Sequence, residues 1–143
     1  MNDTHVLMIE DNPGDVVLVR EAVEKVGLPY RICVARDGVE AMERLAAGMP
    51  GAERSRPDLI VLDLKLPRKN GHEVLADIAK DRDLRGTPIV VLSSSRSELE
   101  IVRASRLPNM TMLAKPSTFA GYLSLVKSIE AFRQEVWTEE SKE

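Results

Sequence analysis

Acidic, hydroxyl and cationic side chains recur in this sequence directly after short apolar runs. Glu10-Asp11 follows His5-Val6-Leu7-Met8-Ile9, and Asp63 follows Leu59-Ile60-Val61-Leu62. Ser93-Ser94-Ser95 follows Pro88-Ile89-Val90-Val91-Leu92, and Lys115 follows Met110-Thr111-Met112-Leu113-Ala114. Taken singly, each has a plain structural role. Asp63 is then a turn or cap residue, Glu10-Asp11 the polar entrance to a helix, the serines a loop with a cap, and Lys115 a solvated lysine before a proline-restricted turn. Taken together they form a chemical set. Carboxylates gathered at one place repel one another and raise their pKa values unless a cation compensates. A hard divalent ion such as Mg²⁺ accepts carboxylate, carbonyl and water oxygens, and a lysine and a hydroxyl beside it suit the oxygens of a transferred phosphoryl group. The set reads as phosphoryl transfer to a carboxylate.

The elements that must position these residues are legible around them. The four runs, with Ile32-Cys33-Val34, are candidate strands, and several are apolar at consecutive positions, as expected of parallel strands covered on both faces. Asn12 and Pro13 start a helix that carries Val16, Val19, Val23 and Val26 and stops at Gly27. Asp37, with Glu40 three residues on, starts a second that carries Met42 and Leu45 and stops at Gly48. A third follows Asn70-Gly71 with Val74, Leu75 and Ile78, and a fourth follows Ser95 with Glu98 as capping-box partner. A fifth runs from about Ser117 to Trp137, with Phe119, Tyr122, Leu123, Val126, Ile129, Phe132, Val136 and Trp137 close to helical spacing. There is no internal repeat or low-complexity tract, and residues 48–57 read as a long surface loop. Strictly alternating strands and helices predict an α/β, doubly wound sheet of five parallel strands with helices on both faces. Ligands in such sheets bind beyond the carboxyl ends of the strands, where the chemical set falls.

Composition narrows the function classes. A chain of 143 residues fits one domain, and with 43% hydrophobic residues it can bury a core without staples. Its single Cys, Cys33, cannot form an internal disulfide and reads as a buried strand thiol, consistent with a reducing, cytoplasmic compartment. Twenty Lys plus Arg against 23 Asp plus Glu leave a formal charge of −3, without the basic excess that nucleic-acid binding requires. No window approaches the roughly 18 apolar residues of a membrane span.

These motifs resemble the receiver domains of two-component response regulators, the CheY-like family. The resemblance spans about residues 5 to 130. It is carried by Glu10-Asp11 in Ile9-Glu10-Asp11-Asn12, by the run from Leu62-Asp63 through Leu66-Pro67-Arg68-Lys69-Asn70-Gly71, by Ser93-Ser94, and by Ala114-Lys115-Pro116. It implies strand order 2-1-3-4-5, as in flavodoxin-like folds, with Asp63 as phosphoacceptor, attacking a phosphohistidine of a partner histidine kinase. It further implies Mg²⁺ held by Asp11 and Asp63, by Glu10 mainly through water, and by the backbone carbonyl of Lys65. Ser93 and Lys115 would contact the phosphoryl oxygens, with the Ser94 N–H adding to them. Such a domain is a switch rather than an enzyme, phosphorylating itself from small donors and hydrolysing the product slowly. The surface of helix four, strand five and helix five would change between two arrangements.

One position departs from the family. Many receivers carry a switching aromatic residue three positions before the lysine, where this chain has Met112, a flexible side chain that can repack. The residues after Ser117 suffice for an extended helix, about 117–137, and a short acidic tail, so residues 1–143 are expected to be a standalone receiver without an output domain. The long loop before strand three, the Leu-Pro-Arg-Lys-Asn-Gly run, Lys115-Pro116-Ser117-Thr118 and the extended helix resemble regulators paired with bacterial phytochromes. That implies a red-light-sensing histidine kinase as partner, recognised through Val16 to Arg20 and Pro116 to Phe119. Phe132, Val136 and Trp137 are expected to pack against a second copy, giving a homodimer. His5 and His72 are read as structural or solvated. Lys65, Arg68 and Lys69 read as a solvated basic loop in preference to a small phosphate patch, and Lys65, two residues past Asp63, can influence access of water to an acyl phosphate.

Three other readings fit less well. A flavodoxin-like electron-transfer protein needs a loop hospitable to a flavin phosphate at a helix N-terminus, whereas Glu10-Asp11-Asn12-Pro13 would repel one, and an aromatic content of 3% leaves few rings to stack on a flavin. A receiver-like interaction module that signals without phosphorylation would have no use for the acceptor chemistry. A phosphatase forming an aspartyl-phosphate usually carries a second carboxylate two residues after the nucleophile, where this chain has Lys65.

Overall fold

The computed structural model describes residues 3–48, 56–65, 71–84, 86–94 and 109–141. The predicted helix at Ser95 and Glu98, most of the 48–57 loop, and Arg68 and Lys69 lie outside these residues. Along the chain come β1 (Thr4–Ile9), α1 (Pro13–Val26), β2 (Tyr30–Ala35), α2 (Gly38–Ala47), β3 (Leu59–Asp63) and α3 (Gly71–Lys80). A 3₁₀ turn (Arg82–Leu84), β4 (Ile89–Ser93), β5 (Met110–Ala114) and a C-terminal helix (Phe119–Ser141) follow. The strands form one five-stranded parallel sheet, as the alternation of elements predicts, in the order β2-β1-β3-β4-β5 that the resemblance implies.

Alternate residues of the central strands feed two cores. Leu7, Ile9, Ile60, Leu62 and Val91 face Ala41 of α2 and Val74 and Ile78 of α3. Val6, Met8, Val61, Val90 and Leu92 face Val19 and Val23 of α1 and Tyr122, Val126 and Ile129 of the C-terminal helix. Both faces of the sheet are therefore dry, which explains the uninterrupted apolar runs. Fully burying one such side chain contributes about 1.5–3 kcal/mol. Cys33 is only half-buried, because β2 is an edge strand.

Local signals set the helix ends. Asn12 Oδ1 accepts the backbone N–H groups of Gly14 and Asp15, and Pro13 needs no partner for its missing N–H. Gly27 ends α1 in the left-handed conformation at φ 85°, its N–H bonded to the carbonyls of Val23 and Glu24. Asp37 Oδ1 caps α2 by accepting the Glu40 N–H at 2.8 Å, and Glu40 reaches back to the Arg36 N–H at 3.3 Å. The C-terminal helix begins two residues later than the pattern predicts, because Thr118 Oγ1 accepts the Gly121 N–H and acts as its cap. It also continues past Trp137, through residues that include no helix breaker.

Candidate functional site

The strands end nearly flush, and that alignment assembles the site. Ile9 is in register with Leu62, so Glu10, one residue past β1, follows beside Asp63, the last residue of β3. Asp63 is level with Leu92, and Ser93 is level with Ala114. Glu10 is held in place by its N–H, bonded to the Ala35 carbonyl at 2.9 Å, and Lys115 by its N–H, bonded to the Ser93 carbonyl at 3.0 Å. The chain leaving β3 turns so that the Lys65 N–H donates to Asp63 Oδ1 at 3.1 Å.

Carboxylate oxygens of Glu10, Asp11 and Asp63 all lie within 4.8 Å of one another. Glu10 is 2% exposed and Asp63 5%, while Asp11 is open to solvent. Lys115 reaches into the cluster. Its Nζ stands 2.9 Å from Asp63 Oδ2 and 3.1 Å from Glu10 Oε2. A further acid joins them, Asp15 on the first turn of α1, with Oδ2 2.9 Å from Nζ. Tyr122 donates its O–H to the other Asp15 oxygen at 3.3 Å. Ser93 is buried at the end of β4, and Ser94 beside it is exposed. Met112 is half-buried against the core shared with α2 and α3.

The electrostatics follow from this crowding. Burial, then hydrogen bonding and repulsion from Asp63, raise the Glu10 carboxyl to about 8, and Lys115 offsets only part of that rise. Burial alone would lower the Lys115 ammonium, but hydrogen bonds to Asp15, Asp63 and Glu10 outweigh it and hold the group above its ordinary value. One lysine thus leaves the carboxylates under-compensated. Hard oxygen donors close enough to share one ion, with one of them forced toward protonation in the absence of such an ion, fit a divalent cation such as Mg²⁺. The same cluster is inhospitable to the phosphate of a flavin.

Glu10, Asp11, Asp63, Ser93, Ser94 and Lys115, singled out by the sequence, come to this edge, and Ser95 lies outside the described residues. Asp15 and Tyr122 do not stand out in the sequence as site residues. The only local signal at Asp15 is its place in the first turn of α1, just after the Asn12 cap and near Glu10-Asp11 in sequence. Of the apolar residues assigned to a second copy, Phe132 packs partly against its own core, Val136 is half-buried and Trp137 is 58% exposed. Among the described residues, no helix is long and apolar enough to cross a membrane.

Residues 6–127 match the model of the response regulator receiver domain. Response regulator Rcp1 of Synechocystis is 35% identical over 133 residues, covering 93% of this chain and 90% of Rcp1. The crystal structure of the phosphorylated cyanobacterial phytochrome response regulator RcpA is similar at a TM-score of 0.78 and 39% identity, covering 93% of this chain and 95% of that one. The bacteriophytochrome response regulator AtBRR is similar at a TM-score of 0.74 and 34% identity, covering 91% of this chain and 94% of that one. Rcp1 has also been solved in a Mn²⁺-bound form, similar at a TM-score of 0.74 and 33% identity over 90% of this chain and 93% of that one.

Proposed function

The chain belongs to the response regulator receiver family, and from that premise we propose that it is a phosphoacceptor switch of a two-component phosphorelay, with Asp63 as the acceptor. The observation that carries this reading is the placement of Asp63. It lies buried at a strand end, within ligand distance of Glu10 and Asp11 and 2.9 Å from the Lys115 ammonium.

An Asp63 oxygen attacks the phosphorus of a phosphohistidine. The new P–O bond forms as the P–N bond breaks, and the imidazole leaves neutral, with its proton on the other nitrogen. Lys115 exchanges its contact with Asp63 Oδ2 for a phosphoryl oxygen. The Ser93 hydroxyl and the Ser94 N–H supply donors to the others. Glu10, Asp11, Asp63 and the Lys65 carbonyl would hold Mg²⁺, which when bound neutralises charge on the phosphoryl oxygens. Lys65 influences how readily water reaches the acyl phosphate. The added charge draws Ser93 inward and biases the surface formed by β5 and the C-terminal helix. The protein is a switch rather than an enzyme.

The partner is a sensor histidine kinase of the bacterial phytochrome class, which the similarity to RcpA and AtBRR supports. Val16 to Arg20 and Pro116 to Phe119 dock it, by family analogy. Exposed Val17 and Phe119 fit that role. A homodimer forms through β5 and the C-terminal helix, with Phe132, Val136 and Trp137 toward the second copy, so sedimentation at tens of micromolar gives a dimer mass, and a monomer there would remove this part. Phosphotransfer tests the partner. Radiolabelled phosphate on a purified bacterial phytochrome kinase moves to this chain, whereas a kinase that retains its label while acetyl phosphate still phosphorylates Asp63 would assign the receiver to another class of kinase.

A further inference from the structure

Asp15 is the acidic partner of Lys115 that lies outside the carboxylate cluster. Asn12 Oδ1 accepts its backbone N–H at 3.2 Å, so the cap that starts α1 also places this side chain. One carboxylate oxygen lies 2.9 Å from Lys115 Nζ, and the other accepts the Tyr122 O–H at 3.3 Å. Tyr122 is 3% exposed, packed in the core that holds Val19 and Val23 of α1. Burial, reinforced by the charge of Asp15, pushes its phenol up, so it remains an O–H donor at neutral pH. The start of the C-terminal helix is equally constrained. A Cβ on Gly121 would stand 2.7 Å from Pro116 Cβ, so glycine permits the close seating of this helix on the Lys115-Pro116 corner.

An ammonium has three N–H donors, and Glu10, Asp15 and Asp63 engage them all. Two of these acceptors change their role during phosphorylation. Asp63 becomes the acyl phosphate, and Glu10 belongs to the metal-binding cluster. Asp15 does neither. We propose that Asp15, braced by Tyr122, is a positioning residue that keeps the Lys115 ammonium over Asp63 while it exchanges a carboxylate oxygen for a phosphoryl oxygen. This rests on the reading of Asp63 as phosphoacceptor. It also gives the site a direct polar connection to the C-terminal helix that does not pass through Met112.

The test measures phosphoryl uptake from acetyl phosphate at saturating Mg²⁺. In that reaction an Asp63 oxygen bonds to phosphorus as the P–O bond to acetate breaks, and acetate leaves with the electron pair. Asp15→Asn keeps the shape and an acceptor for Tyr122 but removes the charge that holds Lys115. Uptake slows by about tenfold, the scale of a hydrogen bond between charged groups. Tyr122→Phe slows it less, and the double variant is no slower than Asp15→Asn alone, because Tyr122 acts through Asp15. Mg²⁺ affinity by calorimetry stays at the wild-type value in all three. Wild-type uptake in Asp15→Asn, independent multiplying effects in the double variant, or losses that track Mg²⁺ affinity or melting temperature would each overturn the proposal. If the wild-type chain itself takes up no phosphoryl group, the phosphoacceptor reading fails and this inference falls with it.

Discussion

Lys115 and Asp63, 52 residues apart in sequence, meet at 2.9 Å through an ammonium and a carboxylate that are both largely withdrawn from water. The contact closes the edge of the sheet between β3 and the turn after β5. It also gives the acidic cluster its internal cation. Removing that cation while the carboxylates remain leaves buried like charges facing one another, which is costly.

Lys115→Gln is therefore expected to lower stability in chelator by about 2 kcal/mol or more. Mg²⁺ should restore more stability to this variant than to the wild-type protein, because the ion replaces the missing charge. Denaturant titrations with and without Mg²⁺ check this, and equal gains in both proteins would contradict it.

Glu10 imposes a pH dependence. Its folded-state value of about 8 lies above the ordinary 4.5, so the folded protein holds this proton more tightly than the unfolded chain. The resulting stability is fully present below pH about 4.5 and is lost as pH rises through about 8. In chelator, Glu10→Gln should match the wild type at the acid end and melt higher above pH 8, while binding Mg²⁺ more weakly. Thermal melts across that range decide it.

Glu130 works in the opposite sense. It accepts the Tyr30 O–H at 2.8 Å and two N–H groups of Arg133 at 2.8 and 2.7 Å, fastening the C-terminal helix to the first residue of β2. Burial would raise its carboxyl, but the hydrogen bonds from Arg133, Gln134 and Tyr30 outweigh it and lower the value to about 2. Its stabilisation is present above pH 4.5 and is lost as pH falls toward 2. Glu130→Gln should cost about 1–3 kcal/mol at pH 7, a deficit that closes on acidification. A deficit independent of pH would show that packing, not charge, fastens the helix.

Gly71 packs against the backbone that leaves β3. A Cβ there would stand 2.6 Å from Leu64 Cα and 2.9 Å from the Asp63 carbonyl oxygen, contacts that backbone cannot relieve without moving. Gly71→Ala should cost about 1–3 kcal/mol and should slow phosphorylation of Asp63 as well, since the shift falls on the acceptor's own peptide. Chemical denaturation and uptake rates on the same preparation measure both.

The architecture was legible because burial on both faces of a parallel sheet writes uninterrupted apolar runs into the chain, and the functional residues follow those runs directly. The helix caps at Asn12, Gly27 and Asp37 are local and were equally readable. What escaped depends on tertiary placement. Asp15 reads as an acid favoured by the first turn of any helix, and nothing local shows that it meets a lysine 100 residues away. Tyr122 sits in an apolar stripe that looks like core, and it is core except for its hydroxyl. Gly71 reads as a helix start, and its reason is a backbone approach that no sequence period encodes. The Tyr30–Glu130 bond spans 100 residues and forms only once the C-terminal helix has packed over β2.

The central claim is the role of Asp63, and intact-protein mass tests it most directly. Incubated with Mg²⁺ and acetyl phosphate, the wild-type chain should gain one phosphoryl group, and the gain should disappear with chelator and in Asp63→Asn, which folds normally. A phosphoryl group of equal stability in Asp63→Asn, or none in a folded wild-type protein, would contradict the assignment.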